Sequence, residues 1–130
     1  MGKIVSPYDV GAELSGILTA YGESLREKVK ADIDETADEL VENLKQDSPD
    51  SGEAHKKKYR QGWTKRTEYE DDLQKRVRVY NKTAYQLTHL LEHGHSKVNG
   101  GRVEAKPHIA PAEEKAEQRL LNRIEEDVKG

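Results

Sequence analysis

The chain has 130 residues, of which 33% are hydrophobic, 36% charged and 5% aromatic, with a formal net charge of −3 and no cysteine. That length suits one domain, and the missing cysteines exclude disulfide scaffolds, thiolate zinc sites and cysteine nucleophiles. No apolar run approaches the roughly 18 residues of a bilayer span, and the opening residues lack the apolar stretch of a secretory signal.

The expectation is therefore a soluble domain assembled in the cytoplasm, spanning 1–130 as one unit. Its few large side chains predict a thin core, so part of the burial that offsets chain entropy is expected to be shared with other subunits. Charge is distributed unevenly: residues 1–48 carry −6, residues 52–82 carry +5 and residues 83–130 carry −1. Such asymmetry points to contact with something charged or with the opposite patch of a neighbouring copy.

Residues 1–47 read as an acidic helical arm. Leu14, Leu18, Tyr21, Leu25, Val29, Ile33, Ala37, Leu40 and Leu44 recur at three- and four-residue steps, the stripe of an amphipathic helix. Ser6-Pro7 supplies an N-cap and a first-turn proline. Gly11, Gly16 and Gly22 each cost about 1 kcal/mol relative to Ala in a helix, which predicts a bend near Gly22. The opposite face, with Lys28, Asp32, Glu35, Glu39 and Glu42, reads as solvated surface.

Turn formers at 46–52 end the helix and open the region 48–112. In 59–66, Tyr59 and Trp63 share one strand face while Arg60, Thr64 and Arg66 share the other. In 73–80, Val77 and Val79 oppose Arg76, Arg78 and Tyr80. The acidic stretch 68–72 between them predicts an antiparallel hairpin. A short helix follows over 84–93, with Leu87, Leu90 and Leu91 on its apolar side and Gly94 as its C′ residue. A short strand is expected around 102–105. The last helix, 111–128, has Pro111 in its first turn, Glu113 and Glu114 at the positive end of its dipole, and Ala112, Ala116, Leu120, Ile124 and Val128 as its seam. The composite is α+β: a long N-terminal helix, a small antiparallel sheet of three to four strands, a short helix, and a C-terminal helix packed on one sheet face.

Three constellations carry candidate chemistry. His89 and His93 are four apart, a spacing that lets both imidazoles of a helix face one metal. The metalloprotease pattern is absent, because no glutamate follows the first histidine at the required place. The ordinary reading, imidazoles hydrogen-bonded at a helix end, stands beside it, and no metal or other cofactor is assigned. Lys56, Lys57, Lys58, Arg60, Lys65, Arg66, Arg76 and Arg78 form a basic middle able to track phosphates, with Tyr59 and Trp63 as stacking platforms. The competing reading is a solvated sheet face, since the core needs both aromatics. The carboxylates lie on predicted exposed faces, and the 99–102 glycines lack the length and Lys-Ser/Thr ending of a phosphate loop, so no enzyme activity is expected.

A series of blocks stands out in order: Ser48-Pro49, Gly52, Tyr59-x-x-Gly62-Trp63, Val79-Tyr80-Asn81, Leu87-Thr88-His89-Leu90-Leu91-Glu92-His93-Gly94-His95, Asn99-Gly100-Gly101-Arg102-Val103 and Pro107-His108-Ile109-Ala110-Pro111-Ala112. In this order the last two-thirds of the chain resembles a family of small tailed-bacteriophage proteins from the head–tail joining region of siphophages, the neck or tail-completion proteins. A Lys-rich insertion, 53–58, departs from the family's pattern.

The resemblance implies a structural virion protein without catalytic function, located at the head–tail junction. It implies a homo-oligomeric ring, hexameric or dodecameric, that contacts a head-closure or connector protein and a tail-tube or tail-terminator protein. DNA would pass through the lumen without specific recognition, and no membrane is involved. Its motif residues here are Pro49, Gly52, Tyr59, Gly62, Trp63, Tyr80, Asn81, Leu91, Glu92, Gly94, His95, Gly101, Pro107, His108 and Pro111. Glu92 and His95 are expected to pin the turn after Gly94, and Pro107 and Pro111 to hold Lys106–Ala112 extended before the last helix. Arg60, Arg66, Arg76 and Arg78 are the expected basic face toward a neighbouring subunit or DNA. A nucleic-acid-binding module using that face is the alternative reading.

Overall fold

The computed structural model describes residues 11–18, 21–48, 56–83, 85–97 and 100–130. In chain order they form β1 (Gly11–Ile17), α1 (Glu23–Asp47), α2 (Lys56–Gln61), β2 (Trp63–Glu70), β3 (Gln74–Asn81), α3 (Tyr85–His93), β4 (His95–Ser96), β5 (Arg102–Val103) and α4 (Ile109–Lys129). The main sheet is antiparallel in the order β1-β3-β2, and β4 with β5 makes a separate two-stranded ribbon. α1 packs on the inner sheet face, and α4 packs on α1 and along β1. The α+β class and the long, short and C-terminal helices are as expected.

Two stretches differ from the sequence reading for one shared reason. Residues 11–17, expected as the start of the long helix, form an edge strand that pairs with β3 from Gly11↔Tyr80 to Ile17↔Gln74. Residues 59–61, expected as strand, belong to α2. A four-residue step is even, so Leu14/Leu18 and Tyr59/Trp63 share a face in a strand as well as in a helix. At β1 the glycines tip the balance: a Cβ on Gly11 would run into the carbonyl of Val79 across the ladder. The short strand expected at 102–105 is β5, which pairs with β4 and not with the main sheet. α4 begins two residues before Pro111, so residues 109–112, expected to be extended, are its first turn, where a proline is tolerated because its missing N–H would have no partner within the helix.

The core lies between α1 and the sheet. Val29, Ile33, Ala37, Leu40 and Leu44 of α1 are fully buried against Ala12, Leu14, Val77, Val79 and Trp63. Ile109, Ala112, Ala116 and Leu120 of α4 extend the same cluster. The inner sheet face also carries cations. Lys75 is 5% exposed, and its Nζ meets Asp34 Oδ2 at 2.8 Å and Glu70 Oε1 at 3.2 Å. Burial disfavours its charge, and the two carboxylates outweigh that and raise its pKa. Lys65 reaches Asp38 at 2.9 Å. The acidic helix and the basic sheet are thus charge partners within one chain.

The outer face of α1 is not the solvated surface its charges suggest, because α4 covers part of it. Arg123 of α4 donates to Thr36 Oγ1 at 2.7 Å and to both carboxylate oxygens of Glu39, a bidentate fork of the stronger kind.

Candidate functional site

Six of the motif residues, Tyr59, Gly62, Trp63, Asn81, Glu92 and His108, converge on one junction where α1, α2, β2, β3, α3 and α4 meet. Trp63, the first residue of β2, donates its indole N–H to Ser48 Oγ at 2.7 Å, and Ser48 closes the end of α1 by bonding the Leu44 carbonyl. Tyr59 of α2 packs edge-on against Trp63, with ring centroids 5.7 Å apart, and His108 packs edge-on against both. Asn81, at the end of β3, donates to the Tyr59 carbonyl. Gly62 belongs here because a side chain would overlap Asn81 and Thr83.

Glu92 and His108 close the junction. Glu92 Oε1 accepts the backbone N–H groups of His108 and Ile109 at 2.8 and 2.9 Å, and Oε2 accepts that of Ala110 at 3.0 Å. A side chain from the end of α3 therefore caps the N-terminus of α4, satisfying donors that a helix start leaves open. Burial alone would push the Glu92 carboxyl up, but the three backbone donors and His108 hold it below the usual range. His108 Nδ1 lies 2.9 Å from the Lys106 carbonyl, which fixes it as the donor nitrogen, so Nε2 accepts from the Tyr59 hydroxyl. Burial keeps this imidazole below its ordinary pKa, against the pull of the Lys106 carbonyl and Glu92.

Phenol, imidazole and carboxylate in series resemble a catalytic relay, but their setting makes them a clasp. Tyr59 is fully buried and burial pushes its phenol up, the reverse of what activates a nucleophile. Each polar group is turned toward another part of the fold.

The expected basic face is brought together only in part. Arg60 lies in α2 and donates to the Ser48 carbonyl at 3.0 Å, away from the sheet face. Arg66, Arg76 and Arg78 do share the outer sheet face, among carboxylates. A β-bulge between Thr67 and Tyr69 sets Glu68 beside them. Arg78 bonds Glu68 Oε1 at 3.3 Å and Glu13 Oε2 at 3.2 Å. Arg76 lies within 4.0 Å of the same two residues. Arg66 reaches Glu68 at 3.3 Å and sits over the ring of Tyr80, 5.0 Å from its centroid. This face is a woven ion-pair surface, with its positive charge largely neutralised.

Other expected residues take supporting places. Gly94 has φ 75° and its N–H bonds the Leu90 carbonyl at 2.8 Å, ending α3 as anticipated. Leu91 is half-buried on the core, and its carbonyl accepts the Lys106 N–H at 2.7 Å. Gly101, at φ 81°, lies at the turn of the β4–β5 ribbon. Pro107 is exposed just before His108, and Pro111 is exposed in the first turn of α4. The turn after Gly94 is not where Glu92 acts; its carboxylate goes to α4 instead. Pro49 and Gly52 lie outside the described residues, as do the side chains of His89 and His95. Among the described residues no group of three or more His, Asp or Glu has the geometry to hold a metal ion, and no helix is long and apolar enough to cross a membrane.

Sequence reasoning missed a second charged cluster, between α1 and α4. Asp32 and Asp127 face each other there beside Glu35, Glu126 and Arg123, around a cavity of about 240 Å³. Burial, a hydrogen bond with Asp127 and that neighbour's charge push Asp32 up to about 7. The legible signal was the spacing of Arg119 and Arg123, one turn apart, opposite Glu35 and Glu39, also one turn apart.

Residues 12–94 match the family model HK97-gp10_like, described as "Bacteriophage HK97-gp10, putative tail-component". The chain belongs to this family. No curated protein and no solved structure gives a significant match. The match to the HK97-gp10-like family runs from β1 through α3 and stops at Gly94. It therefore contains Tyr59, Gly62, Trp63, Asn81 and Glu92, while His108 and α4 lie beyond it. As a phage tail component this HK97-gp10-like chain is a structural protein of the virion.

Proposed function

We propose that this chain is the neck, or tail-completion, protein of its phage: a ring of identical copies, hexameric or dodecameric, seated between the head-closure proteins and the tail tube. The reading rests on membership of the tail-component family together with one structural observation. The motif residues Tyr59, Trp63, Asn81, Glu92 and His108 are turned inward to hold six elements in one arrangement, which is what a part whose task is shape requires. The chain acts by fitting against copies of itself and adjacent virion proteins, and it carries no reaction centre. Nucleic-acid binding through the sheet face is less well supported, because Arg76 and Arg78 are engaged by Glu13 and Glu68.

The test is deletion of the gene in the phage followed by electron microscopy of the lysate. Heads and tails accumulating unjoined, and joining when the purified chain is added back, is the expected result. Normal infectious particles without the chain overturn the proposal.

A further inference from the structure

One edge of the molecule is an apolar groove with an acidic rim. Between β1 and α4 lies a cavity of about 330 Å³ floored by Leu14, Leu120, Leu121 and Ile124, with Glu13 and Glu117 at its margin. Leu121 is 55% exposed, and Val128, two turns further along the helix, is 59% exposed. α4 thus presents two apolar stripes: Ala112, Ala116 and Leu120 facing the core, and a second one facing outward. A third carboxylate stands beside the rim. Glu113 Oε2 takes the backbone N–H of Glu13 at 3.3 Å. Burial, then the charges of Glu117 and Glu13, push the Glu113 carboxyl up against the pull of the Glu13 N–H and of Arg78. Arg78 holds Glu13 at 3.2 Å and acts on Glu113, so the outward charge of the rim rests on the exposed Glu117, and a carboxylate beside exposed leucine favours a partner that is itself basic. Because Glu113 occupies one outward N–H of the edge strand, simple strand addition along β1 is blocked at that point.

The chain carries a segment of matching chemistry. The β4–β5 ribbon has two residues in each strand, too few to be stable alone, and turns through Gly100 and Gly101 at φ 90° and 81°. Lys97, Arg102 and Lys106 are exposed along it, against one carboxylate, Glu104. It is tied to the body by Arg102 donating to the His93 carbonyl at 2.9 Å and by the Lys106 N–H on the Leu91 carbonyl.

We propose that the β4–β5 ribbon of one copy docks into the β1–α4 groove of the next, its cations over Glu117. The two surfaces differ, so the contact is heterologous and repeats head-to-tail until it closes. This deepens the ring reading above and rests on it, by naming the faces that meet.

The chain has no cysteine, which makes a cross-linking test clean. Leu121→Cys and Arg102→Cys are placed together in one full-length chain and oxidised, both in solution and in assembled particles. The expected result is a ladder of cross-linked copies ending at the ring. Glu117→Lys, at an exposed site, weakens self-association about tenfold, and adding Arg102→Glu to the same chain recovers it. Rings without 102–121 cross-links, together with an indifferent Glu117→Lys variant, overturn this interface and leave the ring reading standing. Cross-links only between residue 121 of two copies overturn it in favour of a symmetric face, and capture of a different virion protein at 121 overturns it in favour of that protein. Absence of self-association in both solution and particle overturns the interface and the ring together.

Discussion

Glu92 places its carboxylate 2.8 Å from the backbone nitrogen of His108, sixteen residues further along the chain. Through this contact the end of α3 sets the start of α4, although the ribbon lies between them in sequence. Glu92→Ala leaves three backbone donors of a helix start without a partner and removes a negative charge from the positive end of its dipole. The expected loss is about 2 kcal/mol, read as a lowered midpoint in urea denaturation. Glu92→Gln keeps one acceptor oxygen and loses about half as much. Because the folded state holds this carboxyl below its ordinary 4.5, its contribution is complete above that pH and fades as pH falls further. Glu92→Gln removes that part of the acid limb.

Gly62 gives the sharpest steric test of the junction. Any side chain there overlaps Asn81 Oδ1 and Thr83 Oγ1, and Asn81 is not free to yield because it holds the Tyr59 carbonyl. Gly62→Ala is expected to destabilise by about 2 kcal/mol or more, read as a lowered thermal midpoint.

How much of this was legible in sequence depended on whether one period stood alone. β3 was readable because Val77 and Val79 alternate with Arg76, Arg78 and Tyr80, a two-residue period no helix imitates. α1 was readable from 23 onward because its stripe runs through Leu25, Val29, Ile33, Ala37, Leu40 and Leu44 without a glycine, far longer than a strand, and the three-residue step from Ala37 to Leu40 breaks strand parity. β1 and α2 were not, because their apolar anchors fall four apart and satisfy both geometries. The clasp was half readable. Tyr59, Trp63, Asn81, Glu92 and His108 stood out as residues, but their pairing needs contacts 49 residues apart for Tyr59–His108 and 22 for Asn81–Tyr59, which only the assembled layers create. The charge pattern was visible, but its partners within the chain were not: the acidic helix meets the basic strands inside the molecule through Lys65 and Lys75.

The Asp32–Asp127 pair makes stability depend on pH in the opposite sense to Glu92. Asp32 titrates near 7 in the folded chain, against 3.8 as its ordinary value, so between those limits the folded state holds more protons than the unfolded state. Its contribution is complete below about 4 and is lost as pH rises through 7. Each carboxyl also leaves one buried oxygen without a hydrogen-bond partner. Asp32→Asn keeps the shape and removes the titration. Its thermal midpoint should match the original at pH 4–5 and exceed it by a few degrees at pH 8. Differential scanning calorimetry at the two pH values decides this, and an equal offset at both would show that the pair does not share a proton.

Arg78 separates the two meanings of a basic sheet face. If that face exists to hold DNA, Arg78→Glu abolishes binding and leaves the fold intact. The structure argues otherwise, because the Arg78 side chain is only 16% exposed and lies between Glu68 and Glu13, with Glu113 close by. Reversing its charge places a fourth carboxylate among three in a half-buried setting and leaves Arg76 and Arg66 as the cations beside them. The expected cost is about 3 kcal/mol, seen as a fall in the urea midpoint. Arg78→Met, which removes the charge and keeps the bulk, should cost less. An Arg78→Glu chain as stable as the original would mean that these ion pairs contribute little and that the face is available to a partner after all.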